Sequence, residues 1–282
     1  MQDLKGKVAV VTGGASGIGF GLAERAAREG MRVAIADIEA GTLHQAEEKL
    51  RALGAEVLAV VTDVARPESV EALRDRVVTT FGGVHLLCNN AGVSVGGMTW
   101  EITEDDWTWI LGVNLWGVIH GIRTFVPHMI AGGEEGHVVN TASMAGLIVG
   151  PGMSAYNATK HAVVAISETM HHELNLTGAR VRCSVLCPGW VNTRIAESER
   201  NRPADLKETA TPLGRPEFQA AQDMVKQLLA SGMSPAGVAE HVFAAVREER
   251  FWVLTHESFK QLVTQRFEHT VRGDNPELRS LL

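Results

Sequence analysis

The sequence predicts an α/β fold: a single doubly wound unit over residues 1–282, with a central parallel sheet of about seven strands flanked by helices. Three observations predict it. Short β-branched runs alternate with longer amphipathic stretches along the chain. A glycine-rich loop follows the first run and opens the first helical stretch. Polar residues gather where the runs end, at Asp37, Asp63 and Asn89-Asn90. In a parallel sheet those ends face one crevice, where ligands bind.

Residues 7–12 form a short β-branched run, read as a buried first strand. Thr12-Gly13-Gly14-Ala15-Ser16-Gly17-Ile18-Gly19 follows, and Ile18, Leu22, Ala23 and Ala26 then recur at helical spacing. Strand, glycine loop and helix together place backbone N–H groups and the helix dipole against a pyrophosphate. The glycines allow the backbone to come close to it. The second strand, 31–37, ends at Asp37, eighteen residues beyond Gly19. A carboxylate there accepts hydrogen bonds from an adenosine ribose and repels a 2′-phosphate. Residue 38 is Ile and the glycine loop holds no Arg or Lys, so the cofactor expected is NAD rather than NADP.

A helix over 40–53 and a strand over 56–61 come next, with Asp63-Val64 beyond it. The helix over 67–81 starts at Pro67, a residue suited to a first turn. The fourth strand, 84–88, runs into Asn89-Asn90-Ala91-Gly92. Residues 104–131 read as a long helix interrupted at Gly112 and Gly117. Asn114 in its middle is a poor interior helix residue, which predicts a bend with Asn114 turned inward. The fifth strand, 137–143, carries Ser143 at its carboxyl end, and a Gly/Met/Pro loop over 144–153 leads to the helix of Tyr156. A sixth strand over 180–186 is closed by Pro188-Gly189. Residues 190–235 are mixed and polar and read as an irregular lid over the substrate. A helix over 236–248, a strand over 251–255 and a helix over 257–271 complete the chain.

The chemistry centres on Tyr156, the only tyrosine, and Lys160 at i+4 on the same helix face. A phenol with a pKa of about 10 is a poor base at neutral pH, and a nearby cation favours its phenolate. Lowering it by about three units requires about 4 kcal/mol. One exposed ammonium does not supply that, so a second cation, such as an oxidised nicotinamide ring, is implied.

The net charge of −7 and the lack of a basic block exclude nucleic acid and anionic membranes as partners. Cys88, Cys183 and Cys187 are odd in number and lack metal or redox spacing. They read as small buried thiols, consistent with a cytoplasmic protein. Residues 7–12 read directly as a strand, so no leader is expected. No apolar run approaches the length of about 20 residues that spans a bilayer.

With these residues in place, the chain resembles the short-chain dehydrogenase/reductase family over nearly its whole length. The matching motifs are Thr12-Gly13-x-x-x-Gly17-x-Gly19, Asp63-Val64, Asn89-Asn90-Ala91-Gly92, Asn114, Ser143, Tyr156-x-x-x-Lys160 and Pro188-Gly189. The resemblance implies a Rossmann domain and residue roles. Tyr156 is then the general acid/base, Lys160 lowers its pKa and holds the nicotinamide ribose, and Ser143 binds the reacting oxygen. Asn114 holds a water beside Lys160 in a proton relay. The implied cofactor set is Gly13, Ser16, Gly17, Ile18, Gly19, Asp37, Ile38, Asp63, Val64, Asn90, Ala91, Gly92, Tyr156, Lys160, Pro188, Gly189, Val191 and Thr193. Thr193 binds the nicotinamide carboxamide. The implied assembly is a homotetramer through the helices of Glu104 and Tyr156. More weakly, Gly19-Phe20-Gly21 and the stretch 107–127 resemble oxidoreductases of lignin-type benzylic alcohols.

Ser143, Met144, Ile148, Val149, Met153, Tyr156, Trp190 and Ile195 are the expected substrate walls. They are mostly apolar, which predicts a hydrophobic or aromatic secondary alcohol or ketone. Arg194, Arg200 and Arg202 read as solvated lid surface, and Trp100, Trp107, Trp109 and Trp116 as core and interface. Adjacent side chains on a helix do not face one another, so His171-His172-Glu173 holds no metal. Two other readings compete: a sugar-nucleotide epimerase or dehydratase, whose chains are usually longer, and a dinucleotide-sensing binding protein, which needs none of Asn114, Ser143, Tyr156 and Lys160.

Overall fold

β1 (Val8–Thr12) runs through the interior, each of its residues buried. Alternate side chains serve opposite layers. Ala9 and Val11 pack with Leu22, Ala23 and Ala26 of α1 (Gly17–Arg28) and with Val242 and Phe243 of α8 (Pro235–Glu248). Val8 and Val10 pack with Val70, Leu73 and Val77 of α3 (Pro67–Phe81) and with Phe125 and Met129 of α5 (Gly117–Gly132). The fold is described by a computed structural model covering residues 1–207 and 216–277, with side chains outside 216–222.

Seven strands form one parallel sheet in the order β3-β2-β1-β4-β5-β6-β7. The others are β2 (Arg32–Asp37), β3 (Val57–Val61), β4 (Leu86–Asn89), β5 (Gly136–Thr141), β6 (Val181–Cys187) and β7 (Trp252–Leu254). The direction of winding reverses between β1 and β4. A crevice therefore opens beyond their carboxyl ends, between Thr12 and Asn89-Asn90.

The helices follow local signals. α2 (Ala40–Ala52) follows β2, and α3 starts on Pro67 and ends at Gly82 in the left-handed region. α4 (Glu104–Leu111) opens with a reciprocal cap between Thr103 and Asp106. One π-helical segment, Gly112–Trp116, joins α4 to α5. Asn114 sits in that segment and is fully buried, as its unsuitability for a regular helix predicted. Taken as one rod, Glu104–Gly132 has 29 residues, and its most apolar 18-residue window has a mean hydropathy of 1.2, enough by length and composition to cross a bilayer. The expectation that no uninterrupted apolar run nears 20 residues stands, because Asn114, His120 and Arg123 interrupt this one. Half of the apolar window is buried, and α5 packs on α3, β4 and β5 as a core helix.

Ser143 lies beyond β5, which ends at Thr141. It caps the 3-10 turn Met144–Gly146, its Oγ accepting from the Ala145 N–H at 3.1 Å. α6 (Ser154–Leu176) follows, and α9 (Ser258–Arg272) is the last helix among the described residues. The stretch 190–235 is more regular than expected. It holds 3-10 turns at Ile195–Asn201 and Ala204–Leu206 and the 15-residue helix α7 (Pro216–Ala230). Of its arginines, Arg194 and Arg200 are exposed as expected, and Arg202 is not. Arg202 is only 4 % exposed, and its Nη2 donates to Asp106 Oδ1 on α4 at 2.6 Å. Residues 208–215 of the expected lid lie outside the described residues.

Candidate active site

The glycine loop is tied across the crevice. Thr12 Oγ1 accepts from the N–H groups of Asn90 (2.9 Å) and Ala91 (3.2 Å), and Asn90 Nδ2 donates to Thr12 O at 3.0 Å. Gly13 has a φ of +65°, and a Cβ there would lie 2.9 Å from Ala91 Cα. A Cβ at Gly19 would lie 2.0 Å from Gly13 O. Only glycine fits these approaches. Ser16, Gly17 and Ile18 line the cleft at the start of α1, where no side-chain cap covers the helix N-terminus. An anion fits that end.

Asp37 closes one end of the cleft. Its Oδ2 accepts from Ala15 N–H and its Oδ1 from Glu39 N–H, each at 3.1 Å. Burial raises its pKa above the usual carboxylate value, against the pull of those backbone bonds. Asp63 is held by Ala65 N–H at 3.0 Å, and Val64 lines the same wall.

At the opposite end, Lys160 Nζ stands 5.5 Å from the Tyr156 ring centre and donates to Thr141 O at 3.0 Å. The Tyr156 hydroxyl is hydrogen-bonded to Ser143. Burial pulls the Lys160 ammonium down to about 8. Burial also pushes the Tyr156 phenol above its ordinary value, only partly offset by the Ser143 bond. Lowering of the phenol by Lys160 alone is thus not what the site shows. Loss of solvation outweighs one buried amine, and a second positive charge is needed to favour the phenolate.

Asn114 lies behind this group. Its Oδ1 accepts from Val93 N–H at 2.8 Å, and its Nδ2 donates to Val93 O (2.9 Å) and Thr159 Oγ1 (3.3 Å). Both amide hydrogens are used within the protein. A water beside Lys160 therefore has only Oδ1 or the main chain of Asn114 to bind. A Cβ at Gly92 would meet Asn114 Oδ1 at 3.4 Å and Lys160 Nζ at 3.7 Å, so both groups border one point.

The Pro188-Gly189 turn is fastened by C-terminal residues. Pro188 O accepts from Met144 N–H, Gly189 N–H donates to His256 Nδ1 at 3.2 Å, and His256 Nε2 bonds Trp190 O at 3.1 Å. Thr193 lies against Gly17, where an added Cβ would be 3.1 Å from its Cγ2.

One cleft of about 230 Å³ connects both ends. Of the expected cofactor residues, all but Gly19 line it, and Gly19 supports the loop from behind. Ser143, Tyr156 and Lys160 line it, with Asn114 buried beneath. Of the expected substrate walls beyond Ser143 and Tyr156, only Ile195 does. Met144 and Ile148 are buried in a core cluster, against which Trp190 packs. Val149 is 53 % exposed elsewhere, and Met153 bridges to Gly97. The apolar wall instead comes from Val93, Trp109, Val113, Ile195 and Leu229, and the polar rim includes Glu39, Arg200 and Asn201. Trp109 and Val113 are i and i+4 on one rod, a spacing visible in the sequence. The rim had no sequence signal, since Arg200 and Glu39 are 161 positions apart.

The cleft fits a dinucleotide, with a carboxylate at one end, a glycine cradle between, and the Tyr156 group at the other. No cluster of three metal-binding side chains occurs among the described residues. His171 packs its ring on Phe251, 4.9 Å between centres. The three cysteines are free and buried, and burial pushes the Cys88 thiol up to about 12.

Comparison with known proteins agrees with this geometry. A profile of the short chain dehydrogenase family matches residues 7–204. A solved short chain dehydrogenase/reductase from Burkholderia phymatum, in complex with NAD, is 44 % identical, covers 100 % of both chains and superposes with a TM-score of 0.96. A CLA biosynthesis dehydrogenase/reductase of Lactiplantibacillus plantarum is 34 % identical over 99 % of this chain and 98 % of its own. A C alpha-dehydrogenase of Sphingobium sp. strain SYK-6 is 33 % identical over 98 % of this chain and 89 % of its own. The chain therefore belongs to the short-chain dehydrogenase/reductase family, a Rossmann-fold oxidoreductase.

Proposed function

We propose that the protein transfers a hydride between NAD(H) and a hydrophobic or aromatic secondary alcohol or ketone. The observation that carries this reading is the convergence of Ser143, Tyr156 and Lys160 at one end of a cleft whose other end is Asp37. Bound nicotinamide supplies the hydride acceptor and, when oxidised, the second positive charge beside the phenol. Ser143 orients the carbinol oxygen, and Tyr156 takes its proton, or returns one in reduction. Lys160 holds the nicotinamide ribose, and Asn114 fixes the Val93 strand exit behind it.

Asp37 supports NAD over NADP, because a carboxylate at the end of β2 disfavours a 2′-phosphate. The NAD complex of the Burkholderia relative agrees. The wall of Val93, Trp109, Val113, Ile195 and Leu229 supports an apolar substrate body. Partly exposed Trp116 and Ile130 on the central rod support a homotetramer assembled through that rod and α6. The three buried free thiols support a reducing, cytoplasmic setting.

The test is NADH formation from NAD and a panel of aliphatic, alicyclic and benzylic secondary alcohols, with NADP in parallel. Turnover of a bulky apolar class with NAD is expected. Silence across the panel while NADH still binds would contradict the substrate reading and favour a sensing role.

A further inference from the structure

Two carboxylates leave the end of β2 side by side, and they face different ways. Asp37 turns back to the glycine loop, bonded to Ala15 N–H and Glu39 N–H. Glu39 reaches across the cleft mouth to the lid. Its Oε1 accepts from Arg200 Nε at 2.9 Å and from Asn201 Nδ2 at 2.8 Å, while Oε2 accepts from Thr42 Oγ1 at 3.2 Å. Arg200 is itself fixed, its Nη1 donating to Arg194 O (3.0 Å) and Glu197 O (2.9 Å). The two paired side chains are only 21 % and 25 % exposed, so solvent screens them less than an open surface pair. Burial raises the Glu39 carboxyl, but Asn201 and Arg200 together hold it below its ordinary value, so it is charged at neutral pH.

These residues line the same cleft as Asp37 and Ile38. An acidic residue at this strand end selects a free ribose, whereas an arginine nearby accommodates a 2′-phosphate. The chain brings both to one place: the acid from β2 and the arginine from the lid. What separates them is Glu39.

We infer that Glu39 is a second coenzyme-selecting residue, acting through Arg200: it occupies the lid guanidinium that would otherwise bind a 2′-phosphate, and it adds a negative charge beside that position. The inference rests on the reading of the cleft as a dinucleotide site. Asp37 excludes the phosphate by its own charge, and Glu39 excludes it by withholding a lid guanidinium that would compensate. Ile38 offers no polar replacement.

The test is direct binding, by fluorescence titration of NADH and of NADPH, to the wild type, Glu39→Gln and Glu39→Gln/Arg200→Met. Glu39→Gln should tighten NADPH about tenfold, one charge-assisted hydrogen bond to phosphate, and leave NADH within about twofold. Adding Arg200→Met should remove the gain. Circular dichroism melting checks that each variant is folded. An unchanged NADPH affinity in Glu39→Gln, or a gain that survives Arg200→Met, would overturn the inference. Equal weakening of both coenzymes would overturn it too, and would make the pair a fastening for the lid instead. If neither coenzyme binds the wild type, the dinucleotide reading falls with it. If NADH binds and the ratio does not move, only this inference falls.

Discussion

Replacing Arg202 with Met removes the anchor on which the lid turn hangs. Its Nη2 lies 2.6 Å from Asp106 Oδ1, and the two side chains are 2 % and 1 % exposed. The guanidinium carbon lies 4.3 Å from the Trp109 ring centre, and Glu199 takes two further hydrogen bonds, at 2.6 and 2.8 Å. Met keeps the apolar stem but leaves the Asp106 carboxylate buried without its cation. Breaking a buried pair in this way costs about 3–5 kcal/mol. Loss of the cation–π contact adds up to about 2 kcal/mol, while Glu199 is 43 % exposed and regains water. The assay is urea unfolding of wild type, Arg202→Met, Asp106→Asn and the double variant, followed by circular dichroism and Trp fluorescence. Arg202→Met should lose at least about 3 kcal/mol. The double variant should lose less than the sum of the singles, by about 2 kcal/mol, because the second change removes the stranded charge. Additivity to within about 0.5 kcal/mol would refute the buried-pair account.

Three more predictions are independent of that anchor. Tyr156 is the only tyrosine, so its phenolate absorbance reports one group. Its midpoint in the coenzyme-free protein should lie above 10 and fall when NAD is added; an unmoved midpoint would refute the electrostatic role given to the bound coenzyme. Gly19→Ala should destabilise the fold by about 1–3 kcal/mol and weaken NADH at least about tenfold, since its Cβ must clear a carbonyl oxygen 2.0 Å away. A variant that binds NADH normally would contradict the close-approach argument. His137 is fully buried, bonded to Ser184 Oγ at 2.7 Å with Nδ1 unpartnered, and pulled down to about 3 by burial. A lowered folded-state pKa means this stability is complete above about pH 6.5 and is lost as pH falls toward 3, by at most about 5 kcal/mol. His137→Gln should flatten that part of the stability-against-pH curve, and an unchanged slope would count against the assignment.

What the sequence made legible follows from local physics. β-branched runs, Pro67 at a helix start and the glycine cradle each state their conformation within a few residues. Asn114 was readable as an irregularity because a polar amide fits a regular helix interior poorly, and a π-helical turn resolves the conflict. Side-chain direction in loops was not readable. Met144 is turned into the core cluster by the 3-10 turn that it starts, and Trp190 is packed against that cluster by His256, 66 positions away in the chain. Long-range charge pairing was equally hidden. Arg202 meets Asp106 across 96 positions, so its composition suggested solvent where the fold supplies a buried partner.

The central claim, that Tyr156 handles the proton while the coenzyme cleft is otherwise intact, is tested most directly by Tyr156→Phe. NADH affinity and NADH formation from a turned-over secondary alcohol would be measured on the same preparation. The account predicts NADH binding within about twofold of wild type and a turnover loss of at least about 10²-fold, the lower range for a general acid/base. Retained wild-type turnover would contradict it.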